Sequence, residues 1–498
     1  MSHPTPAALS PSEARQAAVR SVLSNASWLI GARVTGDAVN LGLMVVLARH
    51  FGPGGYGQYA YGFAIATFVY YFMNPGLDQL AVRECSRVPV EDRGRLMGSL
   101  LAFQLGIGAV VAVGVVGFAW LTHATPATAA IIAMLSLYQA GAAVAWILFV
   151  PAMADQRMAL AALAEPLCRM LGMVGAIVLV LGFAKPLVWA LVLFPVGGLV
   201  LVGLGAASAR SHMGSLGIGI TRAEARRIAG LLWPFAGAEV TYQVWARTDL
   251  ILVAQFLGIQ AAGIYASAIK FFETATIPIP LAGHAASPLL SRSLPVARRL
   301  PKGSNRVLAG MLALGFLISW GVWFVAPAVL VPLLGAKFAG AAVLLKYLAP
   351  AGLLIAIEHT SGRLLVAANA QRTRFVVFAI SAVCKIGLAA ALIPILGLPG
   401  AVAAWITAWV VNAVLSAGAL WRGYVGAGLK HAGVLVLGPA AAAAFVAAAV
   451  TLLRSPSAVA AALSLIVFLA LLLRGDFIPL VAGRPLRLLV SSLRRASS

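Results

Sequence analysis

Fourteen apolar runs, each long enough to cross a bilayer, dominate this chain and leave little room for a fold built in water. A helix needs about 20 apolar residues to span about 30 Å of hydrocarbon. The runs fall at 22–48, 55–77, 96–121, 129–150, 158–182, 186–206, 226–257, 261–286, 306–334, 341–367, 373–394, 399–421, 431–453 and 457–480. Lipid offers the backbone no hydrogen-bond partners, so runs of this length satisfy themselves as helices. Charged residues make up 10% of the chain, against about 25% in soluble proteins, too few to cover a water-facing surface. The expected fold is an all-α polytopic membrane protein of about 14 transmembrane helices.

The Lys and Arg residues report how the segments are threaded. Of 36, only Arg49, Lys185, Lys337 and Arg454 lie in the odd-numbered connections; 25 lie at the N-terminus, even connections and C-terminus or at the segment edges next to them (Arg226, Arg227, Arg306, Arg374 and Arg474), and seven lie deeper inside segments. Cations collect on the cytoplasmic side, so both termini are expected there. The same rule accounts for the net charge of +22 without a nucleic-acid partner. The first run is too long and too interrupted for a cleaved signal peptide and reads as a retained helix. Cys85, Cys168 and Cys384 show neither metal nor disulfide spacing. The chain holds no GxxxxGK[ST], HExxH or CxxC motif and no large soluble loop to house an active site. An enzyme is not expected, and no cofactor is called for.

The segment LARHFGPGGYGQYA at Leu47–Ala60 returns as VAQFLGIQAAGIYA at Val253–Ala266, so that Ala48, Gly52, Gly57, Tyr59 and Ala60 recur 206 residues later. This shift maps segments 1 and 2 onto 7 and 8. Six is even, so the copies share one orientation, as in repeats related by an axis along the membrane normal. The expected organisation is a cytoplasmic N-terminal segment 1–21, an N-lobe 22–206, a linker 207–225, a C-lobe 226–421, a helix pair 422–480 and a basic cytoplasmic tail 481–498.

Ionisable residues inside the segments are costly in lipid and must be paired or face a wet cavity. Arg33, Asp37 and Asn40 share one face of segment 1, and the 206-residue offset carries Arg33 and Asp37 onto Glu239 and Gln243 of segment 7. Segment 8 adds Lys270 and Glu273 on one face; Glu358, His359, Arg363 and Lys385 follow in segments 10 and 11. Such groups line a hydrated cleft or lock helices together as ion pairs; Glu165 and Arg169 on segment 5 read as the latter. His359 reads as hydrogen-bonded structure rather than a proton relay. Arg247 and Asp249, two residues apart, point to nearly opposite sides of their helix and need separate partners. Pro234, Pro278, Pro280 and Pro350 interrupt the hydrogen-bond ladder of their segments and read as kinks.

LARHFGPGGYGQYAYGFAI and NPGLDQLAVRECSR (Asn74–Arg87) resemble the first two helices of the polysaccharide-transporter family, the O-antigen and capsule-type flippases of lipid-linked oligosaccharides within the multidrug/oligosaccharidyl-lipid/polysaccharide exporter superfamily. TDLILVAQFLGIQAAGIYASAIKFFET (Thr248–Thr274) and LIPILGLPGAVAAWITAWVVNAVL (Leu392–Leu415) are similar to that family's helices 7–8 and 11–12. The resemblance implies a two-lobed, alternating-access flippase in a bacterial cytoplasmic (inner) membrane, serving surface polysaccharide biosynthesis beside polymerase and other export proteins. It would move an undecaprenyl-diphosphate-linked glycan from the inner to the outer leaflet. By position, Arg33 and Lys270, then Arg247, Arg363 and Lys385, would clamp the diphosphate, since guanidinium groups chelate phosphate well. Asp37, Asn40, Glu239, Gln243, Glu273 and Glu358 would line the cleft, the acidic ones as sites for a coupling H⁺ or Na⁺. The competing readings are a multidrug cation antiporter of the same superfamily, a lipid II flippase, and a membrane polymerase or glycosyltransferase acting on lipid-linked sugars.

Overall fold

The computed structural model describes residues 11–155, 157, 159–213, 217–291, 304–423 and 457–474, which are helical apart from short connections, with no β-strand among the described residues. Two compact units emerge: Met1–His50 with Ile65–Phe235, and Phe51–Ala64 with Ala236–Ser498. The first half of the chain forms α1 (Pro11–Met73), α2 (Leu77–Cys85), α3 (Val90–Leu121), α4 (Pro126–Ala154), α5 (Ala159–Phe183), α6 (Leu187–Ala190), α7 (Leu193–Met213) and α8 (Arg222–Leu257). Then come α9 (Ile259–Thr276), α10 (Pro278–Ser291), α11 (Ser304–Phe324), α12 (Ala326–Leu334), α13 (Ala339–Leu348), α14 (Ala351–Ala367), α15 (Gln371–Leu396), α16 (Leu398–Gly423) and α17 (Ser457–Arg474).

This is a multi-pass membrane protein. Among the described residues, seven helical stretches are long and apolar enough to cross a bilayer: Val90–Leu121, Pro126–Ala154, Ala159–Phe183, Leu187–Met213, Val307–Phe324, Gln371–Leu396 and Leu398–Leu420. The pair Ala336–Leu348 and Ala351–Ala367, bent by 51° around Pro350, makes an eighth if counted as one span. Segment 431–453 lies outside the described residues. On α3, Val110, Val113, Val116 and Trp120 are all at least 70% exposed. In water that stripe would be a liability; in hydrocarbon it is the ordinary outer face of a span.

Segments 1 and 2 run together more closely than the sequence suggests. Within α1 only Gly52 leaves the helical region, at φ 68° and ψ −167°. Its repeat mate Gly258 sits at φ 86° and ψ 169° between α8 and α9. A left-handed φ favours glycine, so the repeat preserves a backbone geometry as well as a sequence. The second unit also brings the repeated glycines together. A Cβ on Gly57 would overlap the Ile259 carbonyl, and one on Gly263 would overlap the Pro53 carbonyl. Pro53 and Ile259, like Gly57 and Gly263, are 206 residues apart, so the contact is reciprocal, as a local two-fold axis requires. Small residues let helix backbones approach this closely in membranes.

Prolines act unevenly. The helix breaks at Ile277, just before Pro278, dividing α9 from α10, and turns at Pro350 between α13 and α14. The α8 backbone passes through Pro234 without interruption. That helix begins earlier than the apolar run, because Thr221 and Glu224 form a capping box. The Thr221 amide and hydroxyl donate to Glu224 Oε2 at 2.8 and 2.9 Å, and the Glu224 amide donates back to Thr221 Oγ1 at 3.2 Å.

In the first unit α4 and α7 pack at glycine contacts: a Cβ on Gly198 would lie 3.0 Å from the Tyr138 Cα, and one on Gly141 3.0 Å from the Gly198 carbonyl oxygen. The NPGLDQLAVRECSR stretch is a fastening on this unit. Asn74 Oδ1 accepts from the Asp78 amide at 3.1 Å, while Leu77, Leu80, Ala81 and Cys85 bury the inner face of α2. Glu84 then pairs with Arg83 at 3.1 Å and Arg227 at 3.7 Å. Arg93 pairs with Asp155 at 2.9 Å.

Candidate functional site

The polar residues of α8 divide between two sides. Glu239, Gln243 and Arg247 recur every fourth residue and share a face, whereas Asp249 turns away from Arg247. Asp249 is 4% exposed, and its partners come from elsewhere in the second unit. Lys385 of α15 places its ammonium 3.1 Å from Asp249 Oδ2, and the Tyr265 hydroxyl of α9 donates to the same oxygen at 2.5 Å. Lys385 also donates to the Trp245 carbonyl at 2.6 Å and lies 4.9 Å from the centre of the Trp245 ring. The Trp245 indole N–H donates to Ser381 Oγ at 3.2 Å, and Ser381 donates to the Ala408 carbonyl at 2.8 Å. One polar network therefore ties α8, α9, α15 and α16. Lys385, expected at a diphosphate clamp, is 1% exposed and committed to this lock.

Arg247 and Lys270 are placed differently. Both are half-buried, and among the described residues neither has a carboxylate within 4.0 Å. Arg247 Nε is buried without a hydrogen-bond partner. The Lys270–Glu273 ion pair, one reading of their shared face, is not formed. Glu239 instead accepts a hydrogen bond from Gln243 at 3.2 Å.

Helix α14 adds a second cluster. Glu358 is 1% exposed, with His359 Nδ1 3.0 Å from its Oε2 and Arg374 Nη2 3.8 Å from its Oε1. His359 Nδ1 also stands 3.1 Å from the Ile355 carbonyl. Arg363 Nη2 reaches the Pro280 carbonyl at 3.5 Å, close to the break between α9 and α10.

In the first unit the side chain of Arg33 lies outside the described residues, while Asp37 and Asn40 are half-buried on α1. A Cβ on Gly36 would lie 3.5 Å from Arg169 Nη2, so this face of α1 runs past the Glu165–Arg169 pair. That pair spans 3.8 Å, with the Tyr138 hydroxyl donating to Glu165 at 3.4 Å.

Aromatic residues pack beside these charges, with Trp245 against Lys385 and Trp409 against His359. Tyr242 stacks on Trp245 (centroids 6.0 Å, 26°), which meets Trp409 edge to face at 4.9 Å. Trp409 packs on Trp405 at 5.7 Å, and Trp405 on Phe272 at 5.4 Å. The three- and four-residue spacings of Tyr242/Trp245 and Trp405/Trp409 were the available signal. Contact between the two helices was not.

A search of curated proteins returns no match. Among solved structures, a lipid II flippase MurJ in an inward closed conformation aligns with a TM-score of 0.70 at 14% identity, covering 89% of this chain and 97% of that one. An inward-facing multidrug resistance MATE family transporter of the MOP superfamily aligns at 0.56 with 13% identity, covering 78% and 93%. The MATE multidrug transporter DinF-BH aligns at 0.50 with 14% identity, covering 78% and 92%. At these identities the likeness is one of fold, and these neighbours are transporters and a flippase rather than enzymes. The family described as Polysaccharide biosynthesis protein matches residues 46–343, well over half the chain, and the chain belongs to that family.

Proposed function

We propose that the protein is a flippase that carries an undecaprenyl-diphosphate-linked oligosaccharide from the inner to the outer leaflet of a bacterial cytoplasmic membrane. It has fourteen helices in two six-helix lobes plus a C-terminal pair, both termini are cytoplasmic, and it moves its cargo by alternating access. The observation that carries this reading is that Arg247 and Lys270, half-buried on helices of the second unit, lack a carboxylate within 4.0 Å among the described residues. A cation withheld from local pairing inside a membrane protein serves a ligand or a water-filled path, and a diphosphate supplies the missing charge. Arg363 joins the cationic set of the second unit, whereas Lys385 supports it from within the Asp249 lock.

Glu239 and Glu273, neither of them in an ion pair among the described residues, are the sites for a coupling H⁺ or Na⁺. The membership of a polysaccharide biosynthesis family supports a glycan cargo, with polymerase and other export proteins as pathway partners.

The test is loss of surface polysaccharide in Arg247→Ala and Lys270→Ala strains in which membrane levels of the protein are unchanged, with lipid-linked glycan accumulating inside. Normal surface polysaccharide in both strains overturns the diphosphate assignment.

A further inference from the structure

The Lys385 ammonium is held as a free cation would be. It carries three N–H donors and no acceptor, and its surroundings supply three electron-rich groups. The Asp249 carboxylate lies 3.1 Å away, the Trp245 carbonyl 2.6 Å away, and the centre of the Trp245 ring 4.9 Å away. That last distance is within the range over which a ring face attracts a cation. Tyr265 steadies the carboxylate, its hydroxyl donating to the same Asp249 oxygen at 2.5 Å. Lys385, Asp249, Trp245 and Tyr265 are all buried.

Backbone carbonyls and aromatic faces replace the water around a monovalent cation, and the carboxylate balances its charge. The arrangement suits a compact point charge rather than a planar guanidinium. Only the flexible stem marks this cation as part of the chain. The repeat shows that the fold itself does not require a charge here. Tyr265 keeps its repeat mate in Tyr59, but 206 residues before Asp249 and Trp245 stand Leu43 and Val39, and Leu43 is fully buried. One helix position is thus apolar in the first unit and a buried anion in the second. A buried carboxylate persists only with a cation beside it.

We infer that the second unit contains a monovalent-cation site, formed by Asp249 with the carbonyl and ring of Trp245, and that the chain fills it with its own lysine. The packing of α8 and α9 against α15 is therefore independent of potassium or sodium in solution. Any ion-coupled step falls to carboxylates elsewhere. The inference holds whatever cargo the protein moves.

The experiment follows thermal unfolding of the full chain in detergent with potassium chloride, n-propylammonium chloride or choline chloride at equal ionic strength. Lys385→Ala leaves Asp249 unpaired and opens the volume of the lost side chain. Its melting temperature is expected to rise saturably with potassium, which is close to ammonium in size, and with propylammonium, which restores the missing atoms. Choline is too bulky for the space and should have no such effect. Lys385→Met, which fills the space without charge, and Lys385→Ala/Asp249→Asn, which removes the anion, should show no potassium response. The wild type should respond alike to all three salts; a wild type stabilised by potassium over choline overturns the claim that the site is already filled. Recovery of Lys385→Ala by propylammonium alone overturns the ion site and leaves an ordinary lysine–aspartate pair. So does the absence of any recovery, or an equal potassium response with Asp249→Asn in place. Should Lys385→Ala not fold, Lys385→Ser, which offers similar room and one more oxygen, carries the comparison. If neither folds in potassium buffer the site is overturned too, because the free ion has failed to replace the ammonium.

Discussion

Lys385→Met removes the cation from a buried pair and leaves the Asp249 charge buried without it. At 3.1 Å and an effective dielectric of about 20, the pair's attraction is about 5 kcal/mol, most of it offset by desolvation of both ions. The asymmetry matters more than the sum: losing one partner of such a pair costs about 3–5 kcal/mol, because the remaining charge stays buried. Asp249 would keep the Tyr265 hydroxyl, but the Trp245 carbonyl, held by Lys385 at 2.6 Å, would lose its donor. Thermal unfolding in detergent should show a large drop in melting temperature for Lys385→Met. The double variant Lys385→Met/Asp249→Leu should recover much of it, since an apolar pair of similar volume is often as stable as the ion pair. A single variant as stable as the wild type, or a double variant no better than the single, would refute the lock.

Gly57→Val and Gly263→Val place side chains into the Ile259 and Pro53 carbonyls; each should cost about 1–3 kcal/mol, as overpacking does. Unchanged melting temperatures in both would contradict the backbone contact. Hydrogen bonds from Thr221 hold the Glu224 carboxyl below its usual range. Its stabilising effect is therefore complete above the ordinary carboxylate pKa of about 4.3 and is lost as pH falls through the lowered value. Protection factors (exchange normalised to the intrinsic rate at each pH) at the start of α8 should fall only in acid, and Thr221→Ala should remove that pH dependence; protection that shows no acid response in the wild type would refute the cap.

The membrane class, the helix character and the repeat were written in the sequence because each depends on local properties. Run length and the rarity of charge require helices in lipid, and glycines at 52 and 258 mark turns whose φ only a residue without a side chain adopts easily. The polar face of Glu239, Gln243 and Arg247 follows from four-residue spacing. So does the separate fate of Asp249, two positions on from Arg247. Partnership was beyond spacing. Lys385 and Lys270 look alike as single intramembrane lysines, yet one is locked 3.1 Å from Asp249 and the other has no carboxylate in reach among the described residues. Tyr242 and Trp409 lie on helices far apart in the chain, so the ring column that joins them through Trp245 left no trace in either local pattern. Composition and periodicity determine what each helix buries or exposes. Which charge meets which, and which ring stays open, is decided by packing between helices distant in sequence.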